Sequence, residues 1–221
     1  MLKNLLSIFV CSDCPLCQRQ TQQIICTYCQ KKVQSNYLST RKIIKSKNLS
    51  VFAWGKYEGE LKRAIASVKY ENNPQLGVLL GEWLAHSWLA SFPSKKIEKL
   101  TVVPIPLHPQ KLNLRGFNQA TKIAQGFCQV TGYPLKSQGL IRVKNTQAMF
   151  GLNPQQRQTN IKNALVVDRH LEPTLGRSPI LILDDIYTTG STIESAYQAF
   201  TQSSLKVYGG VVVATVITNK P

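Results

Sequence analysis

The segment that most constrains the fold is residues 180–195, with the sequence ILILDDIYTTGSTIES. It joins a run of large apolar residues to two aspartates, then to a turn centred on Thr189 and Gly190, and then to residues typical of a helix start. A continuous apolar run of this length is typical of a strand buried on both faces. A buried strand that leads through a turn into a helix indicates an α/β fold with a parallel sheet.

Other apolar runs alternate with helical patterns along the chain. We predict strands at residues 51–54, 101–105, 140–143, 164–167, 179–183 and 207–216. We predict helices at residues 58–69, 74 to about 90, 118–131, 154–162 and 191–202. This alternation predicts a parallel sheet with helices on both faces, and ligands of such sheets bind beyond the carboxyl ends of the strands. We therefore expect the chemistry just after Leu183 and just after Val103.

The turn after Leu183 carries groups that a phosphate needs. Backbone amides at a helix start, together with the helix dipole, favour an anion. The residues predicted to hold it are Thr188, Thr189, Gly190, Ser191 and Thr192. Asp184 and Asp185 would repel a phosphate directly, so we expect them to bind the hydroxyls of an attached sugar and to help hold Mg²⁺ through that ligand. The plain alternative is a strand–helix turn with an aspartate-rich cap.

Six cysteines occur, and five of them lie near the N-terminus. Two pairs, each with two intervening residues, are formed by Cys14, Cys17, Cys26 and Cys29. This spacing predicts a tetrahedral four-sulfur shell of the kind that Zn²⁺ favours. A closed shell leaves no open position, which predicts a structural role. Cys11 is an alternative member of the first pair, and free thiols or a redox pair are the other alternative.

The charge of the chain is strongly positive, with 27 Lys and Arg against 11 Asp and Glu and a formal net charge of +16. Such a field attracts polyanions, including nucleic acid. The residues predicted to contact a phosphate backbone are Lys31, Lys32, Arg41, Lys42, Lys45 and Lys47. Tyr28 and Tyr37 are close to them in sequence and are candidates for stacking on bases. A solvated basic face is the alternative.

The sequence predicts two parts and no membrane span. Residues 34–50 are polar and basic, so we place a domain boundary near residue 48. A cysteine-rich element with a basic linker is expected at residues 1–48, and the α/β domain at residues 49–221. No stretch approaches the length of apolar residues that a spanning helix needs. The N-terminal apolar run is broken by Ser7 and is too short for a signal peptide, so we expect a cytoplasmic protein.

Residues 180–192 resemble the phosphoribosyltransferase signature: four apolar residues, two acids, two variable residues, Thr-Thr-Gly, one residue and Thr. Other segments resemble the ComF (competence protein F) family. They are residues 102–106, 115–119, the pair Lys69-Tyr70 at a helix end, Thr146-Gln147 followed by Arg157 and Asn160, and the N-terminal cysteine pairs. Together these segments extend over nearly the whole chain.

The resemblance to the ComF family implies a type I phosphoribosyltransferase-like fold, with a parallel sheet and flanking helices, plus a small N-terminal zinc-ribbon-like element. It implies phosphoribosyl pyrophosphate, with Mg²⁺, or a nucleotide as ligand. By position, the loop after Val103 resembles the pyrophosphate-contacting loop of that fold, and residues 142–160 its mobile hood. The candidates for contacts to pyrophosphate are Ile105, Pro106, Arg115 and Lys144, with His108 in the same loop.

The resemblance also implies a role in natural transformation, the uptake of single-stranded DNA. We therefore expect a protein that handles single-stranded DNA, has a pocket for phosphoribosyl pyrophosphate, and has proteins of the DNA-uptake machinery as partners. The alternative is an active phosphoribosyltransferase that acts on an unidentified base or other acceptor. The sequence identifies no residue that would bind a particular purine or pyrimidine, so whether the chain is an enzyme stays open.

Overall fold

The computed structural model describes residues 11–40, 42–92, 99–143, 164–170, 175 and 178–216. The described strands are β1 (Ser12–Asp13), β2 (Gln20–Thr21), β3 (Ile43–Lys45), β4 (Ser50–Lys56), β5 (Thr101–Pro104), β6 (Leu140–Arg142), β7 (Leu165–Val167), β8 (Ile180–Tyr187) and β9 (Val207–Thr215). The described helices are α1 (Thr27–Gln34), α2 (Gly59–Tyr70), α3 (Pro74–Ser91), α4 (Pro109–Arg115), α5 (Gln119–Thr131) and α6 (Ser191–Gln202). The predicted helix at residues 154–162 lies outside the described residues.

The main sheet has five strands in the order β3-β4-β9-β8-β5. The pairs β4–β9, β9–β8 and β8–β5 are parallel, and only β3, at one edge, is antiparallel to its neighbour β4. Helices follow the parallel strands along the chain, as a parallel sheet requires. The predicted α/β class with a mostly parallel sheet and flanking helices is therefore confirmed.

Side chains alternate between two hydrophobic cores along β8. Leu181 and Leu183 belong to the core that α2, α3 and α5 cover, whereas Ile180 and Ile182 belong to the core that α6 and the strands β6 and β7 cover. Successive strand residues point to opposite faces, so both faces of β8 need apolar residues. This explains why the segment before Asp184 is apolar at every position.

Helices α3 and α5 cross at a contact made by two glycines. A methyl group on Gly81 would lie 2.0 Å from the carbonyl oxygen of Ile123, and one on Gly126 would lie 2.0 Å from that of Val78. Both distances are far shorter than any allowed contact, so only glycine fits at either position. The two backbones thus pack against each other directly.

The N-terminal element consists of the β1–β2 hairpin and α1. Its buried residues Leu16, Ile25 and Val33 share one core with Leu61 of α2. The polar segment that we interpreted as a linker contains β3, which the sequence analysis missed and which extends the main sheet by pairing with β4. The division near residue 48 stays a prediction.

No helix in the described parts of the chain is long and apolar enough to cross a membrane.

Candidate functional site

The two aspartates lie inside β8 rather than beyond its end. The sequence predicts a strand that stops at Leu183, but β8 continues to Tyr187 because β9 continues beside it, pairing Asp184 with Val212 and Tyr187 with Thr215. On its other side β8 loses its partner after Leu183, where β5 ends at Pro104. Asp184 and the residues after it therefore lie at an open edge at the carboxyl end of the sheet, where ligands of parallel sheets bind.

Asp185 forms a buried ion pair with Lys69. The Lys69 Nζ lies 2.6 Å from Asp185 Oδ2, and the side chains are only 18% and 7% exposed. Burial is the largest single influence on Lys69 and opposes its charged form, but the charge and hydrogen bond of Asp185, together with the charge of Asp184, outweigh burial and raise the pKa of this lysine. The sequence analysis noted the Lys69-Tyr70 pair as part of the family resemblance but gave Lys69 no role.

Asp184 has a different environment from Asp185. It is also buried, and its Oδ1 accepts a hydrogen bond of 2.8 Å from the backbone amide of Asp185. Burial, and then the charge of Asp185, raise the pKa of Asp184 well above its usual range. The charges of Lys69 and Arg142 oppose this shift without cancelling it. The fold therefore holds a carboxyl group that resists ionisation.

The loop after β8 brings its hydroxyls to the start of α6. Thr189 Oγ1 and Ser191 Oγ lie 2.8 Å apart, and Gly190 has a φ of 77°, a left-handed conformation that favours glycine. A side chain at Gly190 would also collide with the phenol of Tyr187. The local sequence thus explains the turn, because a residue other than glycine at this position would be strained and crowded.

A small cavity of about 10 Å³ opens beside this loop. Its lining consists of Asp184 and residues 186–193, so it includes all five predicted loop residues. Asp185 does not line it. The cavity has room for about one water molecule, so a larger anion would lie on the open side of the loop, where Thr188 and Thr189 are exposed. The structure brings Asp184 together with the loop, while Asp185 contacts Lys69.

The loop after β5 is held in place by side chains. The Ile105 carbonyl accepts a hydrogen bond of 2.9 Å from Asn118 Nδ2, and the Pro106 carbonyl accepts one of 3.0 Å from Arg142 Nε. The Ile105 amide donates to the Leu183 carbonyl at 2.8 Å, which fixes the loop to β8. The two predicted ligand loops, after β5 and after β8, are thus neighbours.

Three cations gather beside the loop after β5. Arg115 packs its guanidinium over the ring of Tyr70, 5.4 Å from the centroid, and hydrogen-bonds with Gln119. Burial, together with the charges of Arg142 and Arg115, lowers the pKa of Lys111. The charges of Arg142 and Arg115 thus disfavour the charged form of Lys111, and a nearby anion would favour it. Lys144, the fourth predicted pyrophosphate contact, lies outside the described residues.

Lys111 and Arg142 were not predicted as site residues from the sequence. Helix α4, which carries Lys111 and Arg115 four residues apart, was not predicted either. The signals for α4 were present at both ends. His108 caps its start, with Nδ1 accepting from the Gln110 amide at 3.3 Å, and Gly116 ends it with a φ of 79°. In the structure His108 is therefore a helix cap.

A larger cavity, of about 500 Å³, lies between α4, α5 and β6. That volume is within the range of pockets that hold small molecules. Pro106 of the loop after β5 lines it, as do Asn118, the residue that caps α5, and Arg142, the first residue of the predicted hood.

The four cysteines form one cluster. All four sulfur atoms lie within 4.8 Å of one another, which is close to the roughly 3.8 Å between sulfurs around a tetrahedral zinc. The first pair lies in the turn between β1 and β2, and the second at the start of α1. The residues are Cys14, Cys17, Cys26 and Cys29. Cys11 is exposed and is not part of the cluster, which favours the first of the two pairings that the spacing left open.

The start of α1 favours thiolates. Cys26 is the N-cap residue, and a hydrogen bond from the Cys29 amide lowers the pKa of Cys26 to about 7. Burial, in contrast, raises the pKa of the Cys29 thiol. A cation at the centre of the cluster would stabilise all four as thiolates, as metal binding does. The four residues are therefore close enough, and chemically suited, to bind one metal ion.

The predicted nucleic-acid residues lie at two places. Lys31 and Lys32 are exposed in the last turn of α1, and Lys32 lies 5.8 Å from the ring centroid of Tyr28. Lys42 precedes β3 and contacts the ring of Tyr37. Of the others, Lys45 and Lys47 are exposed, with Lys45 within 3.3 Å of Ser50 Oγ, and Arg41 lies outside the described residues.

This chain is similar to several known proteins. No protein-family model matches it. It is similar to the Haemophilus influenzae protein named Competence protein F, with 27% identity over 81% of this chain and 80% of the relative. It is similar to Competence protein ComFC of Bacillus subtilis, with 24% identity over 83% and 69%. It is also similar to the DNA utilization protein YhgH of Salmonella typhimurium, with 27% identity over 64% and 61%.

The fold and the cysteine cluster together define a mixed α/β protein that has a mostly parallel five-stranded sheet and an N-terminal cluster compatible with a zinc ribbon. The similar relatives match 81–89% of this chain. Similarity to relatives named Competence protein F and Competence protein ComFC, at 24–27% identity over most of the chain, supports the ComF (competence protein F) family.

Proposed function

We propose that this protein assists the uptake or use of single-stranded DNA and binds phosphoribosyl pyrophosphate, or a related sugar 5′-phosphate, at the loop after β8. The observation that carries the proposal is the convergence of two loops at one sheet edge. One has hydroxyls at the start of α6 with Asp184 beside them, and the other has cations. The names of the relatives, which refer to competence and DNA utilization, support the cellular role.

Each part of the ligand has a partner in this arrangement. The 5′-phosphate lies at the amides and hydroxyls of Thr188 to Thr192, where the dipole of α6 favours an anion. Asp184 accepts a hydrogen bond from a ribose hydroxyl or helps to hold a hydrated Mg²⁺ through the ligand. The pyrophosphate lies at the cations Lys111, Arg115 and Arg142, since an anion there favours the charged form of Lys111, which the two arginines disfavour.

We propose Zn²⁺ as the ion of the cysteine cluster. Four sulfur ligands in a closed shell suit zinc and leave no position for a substrate, so its role is structural. Such a thiolate cluster is maintained in a reducing compartment, which supports a cytoplasmic location. The partners that follow from the proposed role are proteins of the DNA-uptake machinery.

Calorimetry tests the ligand proposal. Phosphoribosyl pyrophosphate titrated with Mg²⁺ is expected to bind to the parent protein and not to the double variant Asp184→Asn, Asp185→Asn. The exposed residue Asp13, on β1, provides a control, because Asp13→Asn removes one carboxylate at a position far along the sequence from the loop. No heat in the parent protein, or equal binding in the double variant, would contradict the proposal.

A salt series tests the DNA proposal. Binding of a single-stranded oligonucleotide is expected to weaken steeply as salt rises, with a slope of about 0.7 for each phosphate that a lysine neutralises. The variant Lys31→Gln, Lys32→Gln is expected to reduce that slope by about 1.4. Retention of the oligonucleotide with no dependence on salt would contradict a role for these lysines.

An active phosphoribosyltransferase is the second candidate, and the three cations beside the loop after β5 favour it. A transferase must stabilise the leaving pyrophosphate, which is the role that this arrangement suits. Release of pyrophosphate from phosphoribosyl pyrophosphate, measured with a panel of bases, tests this candidate. Arg115→Gln is expected to slow any release that is found, and no release with any base argues for a binding protein.

A further inference from the structure

A third cavity, of about 430 Å³, opens between the end of α1, β4 and α3. It shares no lining residue with the cavity at the loop after β8. Three aromatic rings line it, those of Tyr37, Trp54 and Trp83. Two of them, Trp54 and Trp83, stack with ring centroids 5.7 Å apart and an angle of 26° between the planes.

The third ring is fixed in place by polar contacts. The Tyr37 hydroxyl is 3.2 Å from Ser87 Oγ and accepts a hydrogen bond from Lys42 Nζ, which also lies 4.5 Å from the ring centroid. These contacts lower the pKa of Tyr37, and they hold its ring at 58° to that of Trp54. The cavity is therefore preformed and needs no rearrangement of its rings.

The charge around the cavity limits what can occupy it. None of the described residues that line the cavity is Asp or Glu. Lys42 contacts the ring of Tyr37, which lines the cavity, and the lining residue His86 is exposed. Lys31 lies on α1 three residues before Gln34, which lines the cavity, so it is on the same face of that helix. Stacked rings flanked by cations are the combination that single-stranded nucleic acid requires, a π-face for the base and positive charge for the phosphate.

We propose that this cavity holds one base of a single-stranded nucleic acid, stacked on the rings of Trp83 and Tyr37, which are less buried than Trp54, with an adjacent phosphate at Lys42. The inference rests on the proposed function and adds a place where the strand is held by a base as well as by its phosphates. Stacking does not depend on which base is present, so the site suits a protein that handles DNA of any sequence.

The test uses the full chain and a fluorescently labelled oligothymidylate, with binding followed by anisotropy. Trp83→Leu is expected to weaken binding by about 5- to 150-fold, the range for loss of one stacked base, and Trp83→Phe to restore most of it. The slope of binding against salt is expected to stay unchanged in Trp83→Leu, because no phosphate contact is lost.

A second variant avoids the packing of Trp83. Ala90 lines the cavity and is exposed on α3, so Ala90→Leu fills space without removing a contact, and its expected effect is a loss of at least about 5-fold. Gln129→Leu, an exposed position on α5, is the matched control and is expected to bind as the parent does.

The outcomes separate this inference from the proposed function. If the parent binds with a steep salt slope while Trp83→Leu and Ala90→Leu bind equally well, the cavity is not the base site and the proposed function stands. If the parent does not bind oligothymidylate, this inference and the DNA-handling part of the proposed function both fail. If thymidine monophosphate quenches the tryptophan fluorescence at the same concentration as the oligonucleotide, the cavity is a site for free nucleotides and the inference is overturned.

Discussion

The cysteine cluster and the loop site after β8 both place ionisable groups in or beside the hydrophobic core, but they do so in opposite ways. The four thiols face one another around a single point, so one cation satisfies all of them. The two aspartates are adjacent in sequence, yet among the residues that the structure describes only Asp185 has an ion-pair partner, Lys69. The cluster is thus an arrangement that one cation would stabilise, whereas the loop site holds a carboxyl group, that of Asp184, whose ionisation is unfavourable in the folded protein.

Removal of the metal is expected to have the largest effect. In Cys29→Ser the cluster loses a ligand, and structural zinc sites supply about 10–16 kcal/mol of binding free energy at neutral pH. We expect the variant to lose its zinc, one ion per chain in the parent, and to lose the structure of α1. Metal analysis and circular dichroism measure both. Cys128→Ser, outside the cluster, is the control, and zinc retained by Cys29→Ser would contradict the assignment.

Disruption of the ion pair between Lys69 and Asp185 is expected to have the next largest effect. Lys69→Met leaves Asp185 buried without its partner, which is expected to lower the free energy of unfolding by about 3–5 kcal/mol. Adding Asp185→Asn is expected to recover most of that loss, and denaturant unfolding of the four proteins completes the double-mutant cycle. The control is Lys62→Met, at an exposed position on the same helix. Additive effects of the two substitutions would show that the pair is not coupled.

Substitution of Gly190 is expected to cost about 1–3 kcal/mol, because the new side chain takes a left-handed conformation and meets Tyr187. Gly132→Ala is the matched control. That residue has a φ of 70° but nothing within 4 Å of an added methyl group, so it measures the conformational cost alone. Denaturant unfolding gives both values. Equal losses in the two variants would mean that the contact with Tyr187 contributes nothing.

The smallest predicted effect is a gain in stability, whereas the substitutions above lower it, and its size depends on pH. Because the pKa of Asp184 is raised in the folded state, the fold loses stability as pH rises from the unfolded value, about 3.9, to the raised value. Asp184→Asn is therefore expected to stabilise the protein by at least about 1 kcal/mol above the raised pKa, and to have no advantage below pH of about 3.9.

Thermal melting of the parent and of Asp184→Asn over a pH series measures this difference. Asp13→Asn, an exposed change of the same kind, is expected to show no comparable gain. A lower melting temperature in Asp184→Asn at high pH would mean that the carboxylate is stabilised by the fold, which would remove the contrast between the two sites.

Features encoded by adjacent residues could be predicted from the sequence, and contacts between distant segments could not. The cysteine spacing and the strand–turn–helix around Gly190 are local patterns, so their positions followed from periodicity and residue type. The pair of Lys69 and Asp185 joins residues more than a hundred positions apart, and no local pattern indicates it. The pKa of Asp184 depends on the burial that this tertiary packing creates.

The missed elements have the same explanation. β3 is a three-residue strand that pairs with the edge of β4, and its two isoleucines are too short an apolar run, within a basic and polar segment, to signal a strand. β8 continues past Asp184 and Asp185 because β9 is long enough to pair with it there. The sequence of β8 alone does not indicate this length. α4 is short and carries no buried residue, so its helical periodicity is absent and only its caps indicated it.

The crossing of α3 and α5 has a consequence for the site. Because Gly81 and Gly126 set how closely the two helices approach, a methyl group at either position would force α5 outward as a unit. The residue that caps α5, Asn118, holds the Ile105 carbonyl of the loop after β5. The substitution Gly126→Ala would therefore move the loop after β5 away from the loop after β8 and widen the proposed anion site between them. It would do so without altering any residue that borders that site.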